Sequence, residues 1–119
     1  MRKSRFYYDK KFLGSKAGRP LRMLSEYLSP LHAIQKNKIK DTIVFFVSAR
    51  IQNNNDKKIN QYYQKAKELS YKLTKWNMKN YKKINRYVIT SGAGPGIMSA
   101  ANQGAMEAGG KTIGLGISL

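Results

Sequence analysis

The residues best suited to chemistry are Ser91-Gly92-Ala93-Gly94-Pro95-Gly96-Ile97-Met98, which follow directly on the apolar run Tyr87-Val88-Ile89-Thr90. A β-branched run, alternating glycines and then an Ala/Met/Glu-rich segment read as strand, tight loop and helix. Glycines remove the Cβ atoms that would hold a ligand away, and the first turn of a helix presents N–H groups with no intrahelical partner. Together they let backbone close on a phosphate, so Gly92, Gly94 and Gly96 are candidate phosphate-binding residues. Pro95 suits a first helical position, where a missing N–H is no loss. The plain alternative is a strand-to-helix turn that needs its glycines only for packing.

Two familiar nucleotide loops are disfavoured by spacing. A Walker loop needs Gly-Lys-Ser/Thr, and none follows these glycines. The dinucleotide fingerprint is Gly-x-Gly-x-x-Gly with an acid about twenty residues on. Here the third glycine comes one residue early, and Gly116-Ile117-Ser118-Leu119 carries no acid.

Other catalytic chemistries lack their residues. With no cysteine there is no disulfide, thiolate metal site or thiol nucleophile, which fits a reducing, cytoplasmic setting. His32 is the only histidine and has no second ligand type nearby, so a surface role outweighs metal binding or catalysis. Neither a metal nor a cofactor is expected.

The elements that must hold the glycine loop follow from hydropathy. Ile43-Val44-Phe45-Phe46-Val47 is apolar on both faces and predicts a central strand of a parallel sheet. Ile59 to Lys79 places Ile59, Tyr62, Tyr63, Ala66, Leu69, Leu73 and Trp76 on one stripe, with lysines opposite, and predicts an amphipathic crossover helix. Arg86 to Thr90 predicts the second strand. Pro95 to Ala108 predicts the second helix, with Met98 and Met106 in the core and Gly109-Gly110 as its C-cap. Thr112 to Ile117 predicts the third strand. The sum is α/β: a partial, three-stranded, Rossmann-like doubly wound parallel sheet over 41–119. Before it, 1–20 read as an irregular basic arm. Residues 21–40 read as short N-terminal helices, with a stop and restart at Ser29-Pro30. A parallel sheet this small has bare edges, so a fragment, or a domain completed by further sequence or a partner, is expected.

Charge sets the class of partner. With 23 basic and 6 acidic residues among 119, the net charge is +17, a field that attracts polyanions. Yet 21 of the 23 basic residues precede Arg86, so the glycine loop lies in the least basic region. The excess is mostly Lys mixed with Asn, Ile and Tyr, the bias of an AT-rich coding background. That origin is favoured over a dedicated nucleic-acid patch, and any nucleic-acid binding is expected to be non-specific. No apolar run nears the roughly 20 residues that span a bilayer, and no membrane partner is expected.

The ordered residues resemble the LOG (LONELY GUY) family, proteins long labelled possible lysine decarboxylases. The likeness runs through Val44-Phe45-Phe46-Val47-Ser48-Ala49-Arg50, the glycine loop, Ala100-Ala101-Asn102-Gln103-Gly104-Ala105 and Gly109-Gly110-Lys111-Thr112-Ile113-Gly114-Leu115. It implies a homodimeric hydrolase that cleaves the N-glycosidic bond of a nucleoside 5′-monophosphate such as AMP or a cytokinin riboside monophosphate. The products are free base and ribose 5-phosphate. It also implies that Ser48 and Arg50 join Gly92, Gly94 and Gly96 at the site, although either could merely cap the following loop.

Two departures weigh against turnover. The family's Pro-Gly-Gly-x-Gly-Thr-x-x-Glu motif, with its catalytic glutamate, and the family's catalytic arginine have no match here. No catalytic residue is therefore assigned, and Glu107 reads as surface or packing. Val47 also stands where the family has glycine, and its branched side chain crowds the turn. The alternative to an inactive portion of a nucleosidase is a non-enzymatic protein that binds nucleotides or nucleic acid through its basic arm and lysine-rich helix.

Overall fold

The computed structural model describes residues 5–47, 49 and 57–118, without the side chain of Ile59. The chain divides into two compact units, Met1–Asn37 and Lys38–Leu119.

In the first unit a 3₁₀ turn at Phe6–Tyr8 leads to helix α1 (Lys10–Gly14) and helix α2 (Arg19–Lys36). Helix thus replaces much of the irregular arm expected over 1–20. Asp9 caps α1 by accepting from the Phe12 N–H at 3.1 Å. The Arg22 guanidinium donates to the Ser15 carbonyl at 2.7 Å, tying the connection to α2. The expected break at Ser29-Pro30 does not occur, and Pro30 sits inside one continuous helix. Its missing N–H leaves the Glu26 carbonyl without its helical donor, on a residue exposed to solvent.

The second unit is a Rossmann-like α/β half-unit. Strands β1 (Thr42–Phe45), β2 (Val88–Ser91) and β3 (Thr112–Gly114) pair in the order β1-β2-β3, all parallel. Helix α3 (Lys57–Asn80) joins the first two and α4 (Ile97–Glu107) the last two. The central strand is β2, every residue of which is buried, whereas β1 is an edge. Ile43 and Phe45 pack on the Ile89, Ala101 and Ala105 core, while Val44 is 59% exposed. The apolar run around β1 was expected to mark a central strand. Among the described residues one of its faces is covered.

The crossover helix differs from its expected orientation. Among its described side chains Tyr63, Ser70, Thr74 and Asn77 are buried and Leu73 packs on the core, while Tyr62, Leu69 and Trp76 stay exposed. The cause lies on α4, whose inward face is Ala100, Ala101, Gly104 and Ala105. A surface of such small residues draws the helices together until a Cβ on Gly104 would strike the Lys67 carbonyl. Only small or polar side chains fit between backbones that close, so α3 turns about one residue away from its apolar stripe. The Ser70 hydroxyl then donates to the Ala101 carbonyl, and Tyr63 donates to Gln103 at 3.0 Å. Met106, expected in the core, is 67% exposed on the far side of α4.

Replacing Gly104 with Ala tests this contact. The change adds helix propensity of about 1 kcal/mol but forces the two backbones apart. A net loss of about 1–3 kcal/mol is expected, as for other overpacked cores, read as a lower urea midpoint.

Candidate functional site

The glycine loop leaves the carboxyl end of β2, where ligands bind in open α/β sheets. Ser91, the last strand residue, starts it with two contacts. Its hydroxyl accepts from the Ala93 N–H at 3.1 Å and donates to Asn102 Oδ1 at 3.1 Å. The first bond holds Ala93 in the left-handed region at φ 56°, uncommon for a side chain larger than hydrogen. Gly96 follows at φ 76° and ψ −136°, a conformation in effect reserved for glycine. It is buried, and its carbonyl accepts from the Ala100 N–H at 3.0 Å as the first bond of α4. Helix begins at Ile97, so Pro95 stands outside it in the exposed loop and not in the first turn.

No side chain caps α4 at this end. The N–H groups of its first turn thus receive no side-chain cap from Gly96, and the positive end of the helix dipole lies behind them. An open cleft of about 630 Å³ lies beside them, lined by Ala93, Gly94, Ser99, Asn102, Gln103, Met106 and Glu107.

Gly92 and Gly94 play a narrower part than Gly96. A Cβ on Gly92 would lie 3.0 Å from the Met98 sulfur, and one on Gly94 would meet the Met98 methyl. The room these glycines leave is occupied by a flexible thioether that can swing away. Ser48 and Arg50, the other two expected site residues, lie outside the described residues. Val47 is described and 37% exposed just beyond β1.

Asn102, quoted in the resemblance but given no site role by the sequence, is the side chain that ties the base of the cleft together. Its Oδ1 accepts from Ser91 and lies 3.1 Å from the Thr112 hydroxyl, which is also 2.9 Å from the Ile89 carbonyl. One side chain on α4 thus joins the carboxyl end of β2 to β3 at the base of the cleft. Its signal was a polar residue interrupting a face of Ala and Gly.

Among the described residues the cleft is lined by one carboxylate, Glu107, whose Oε1 is 2.9 Å from the Lys67 ammonium. It stands late in α4, away from the loop, and it pairs the two helices. No group of three or more His, Cys, Asp or Glu able to hold a metal occurs among the described residues. No helix among them is long and apolar enough to cross a membrane.

No protein-family model matches the chain, and no curated protein matches it.

The loop predicts a contrast between neighbouring glycines. Gly96→Ala, forced into a glycine-only conformation, is expected to cost about 1–3 kcal/mol in chemical denaturation. Gly94→Ala needs only a rotation of Met98 and is expected to stay within about 1 kcal/mol of wild type.

Proposed function

We propose that this chain binds a nucleoside 5′-monophosphate such as AMP, and that it is a portion of a LOG-type N-glycosidase. The observation that supports this is the Gly92–Gly96 loop, placed at the carboxyl end of the central strand against an uncapped helix start. On this reading the 5′-phosphate sits on the first-turn amides of α4, and Met98 withdraws as it enters. The ribose then lies along the cleft towards Asn102 and Gln103, which have amide groups suited to sugar hydroxyls.

Hydrolysis would need more than a cradle. Cleavage of the base–ribose bond passes through an oxocarbenium-like state, which calls for a carboxylate near the anomeric carbon and an activated water. Glu107, the described carboxylate of the cleft, is engaged by Lys67 at 2.9 Å and has no assigned catalytic role. The chain is therefore expected to bind AMP without turning it over on its own. The polyanion alternative draws on a different surface, the solvent face of α3 with Lys65, Lys72, Lys75 and Lys79.

Calorimetric titration of AMP at two salt concentrations separates these. Amide-held AMP weakens mildly with salt, whereas binding spread over many lysines falls steeply. Gly94→Val, which fills the space left for the phosphate, is expected to lower AMP affinity at least tenfold, about 1.4 kcal/mol. AMP affinity unchanged by Gly94→Val would remove the loop from the assignment.

A further inference from the structure

Helix α2 is two-sided. At about 100° per residue, Leu21, Met23, Leu24, Tyr27 and Leu28 fall on one half of its circumference, and Arg22, Ser25, Glu26 and Ser29 fall on the other. The five apolar side chains are 45% to 67% exposed, and no residue of the helix is buried. Single apolar residues on a surface need no explanation, but five along one side of one helix form a continuous strip.

Charge singles out the same unit. Residues 1–37 hold nine basic and two acidic residues, and Arg2, Arg5, Arg19 and Arg22 are four of the six arginines of the chain. A background rich in Lys and Asn does not account for arginine. None of the Lys and Arg side chains from Arg5 to Lys36 is in an ion pair among the described residues. Lys10, Lys11, Lys16 and Arg19 are all exposed. Between Arg5 and Lys10 stand three further exposed rings, Phe6 at 81%, Tyr7 at 75% and Tyr8 at 65%. Such rings beside cations suit the headgroup level of a bilayer, where the tyrosine hydroxyls stay wet.

We propose that the first unit binds the surface of an anionic phospholipid bilayer, with α2 lying in the plane of the interface. Its apolar half faces the acyl chains, and the surrounding lysines and arginines meet the lipid phosphates. A helix in the interface needs no spanning run, so the short apolar runs of this chain do not count against it. A nucleic acid would meet the charge and leave the apolar half in water. A second copy would cover the apolar half but oppose two like-charged units. A groove on an acidic protein takes a single line of anchors spaced three, four and seven apart. Leu21 and Met23 stand near opposite borders of the apolar half, too far apart for such a line. The inference rests on the first unit alone and does not depend on the AMP assignment.

Co-sedimentation of the full chain with unilamellar vesicles provides the test, with phosphatidylcholine alone and phosphatidylcholine mixed with phosphatidylserine. Binding is expected to the mixed vesicles and at least tenfold more weakly to phosphatidylcholine alone. Leu24→Gln and Leu28→Gln, which keep helix propensity, are each expected to weaken it about tenfold. Lys16→Gln and Arg19→Gln are each expected to weaken it about fivefold, and added salt to weaken it further. None of the four should lower the melting temperature, because each side chain is exposed. The proposal is overturned if the two kinds of vesicle are bound alike, or if neither is bound. It is overturned too if Leu24→Gln and Leu28→Gln both bind like wild type, which would leave only adhesion of a polycation to a charged surface. A vesicle-free dimer that Leu28→Gln dissociates in sedimentation equilibrium would also overturn it, by giving the apolar half to a second copy.

Discussion

The close approach of α3 to α4 is the constraint from which most of the second unit follows. Gly104 lets the α3 backbone come to where a methyl group would collide with the Lys67 carbonyl. Packing at that distance rewards small residues on both helices and leaves Leu69 and Trp76 exposed at 51% and 46%, while Tyr63 and Leu73 of the same stripe still pack inward. Apolar area left in water on α3 is exchanged for tight contact, the Ser70 bond to Ala101, the Tyr63 bond to Gln103 and the Lys67–Glu107 pair. That pair is partly exposed and contributes little by itself, so the steric fit at Gly104 outweighs it.

The same contact settles α4 over the sheet and with it the site. Ala101 and Ala105 seat on Ile89, which brings Asn102 over the carboxyl ends of β2 and β3. Ser91 can then bridge Asn102 and the Ala93 N–H, and the loop is bent before it reaches Gly96. An order of causes is visible here. Helix packing places Asn102, Asn102 orients Ser91, and Ser91 shapes the loop that leads to the side-chain-free cap at Gly96.

Much of this was legible in the sequence, and the misses have a common origin. Strand, helix and strand could be read because β-branched runs and glycine breaks are local signals, and Gly109 takes the left-handed cap conformation at φ 82° that its place after α4 suggested. The rotation of α3 could not be read, because hydropathy weights Leu69 above Ser70 and is blind to the width of the partner helix. The edge position of β1 escaped for a similar reason: an apolar run reports what a strand can bury, while strand order decides what it does bury. Pro30 inside α2 shows the converse. The lost hydrogen bond and the ring's crowding of the Glu26 carbonyl cost about 3 kcal/mol, yet α2 continues through Pro30 over eighteen residues. At the site, the glycines announced a close approach, but that Met98 is what approaches Gly92 and Gly94 is a tertiary fact.

The two ends of β2 are also linked through that helix contact. Once α3 turns Tyr63 and Ser70 towards α4, the helical repeat carries Thr74 and Asn77 inward too, whether or not partners await them. Gly110 presses on Thr74 so closely that a Cβ there would meet the Thr74 methyl, and the turn from α4 to β3 cannot relax away. The polar atoms stranded at the amino-terminal end, Asn77 Oδ1 and the Thr74 hydroxyl, therefore follow from the packing that builds the glycine-loop cleft at the other. A chain selected for stability alone could replace Thr74 with Val at no steric cost, and in the present packing the hydroxyl contributes no bond.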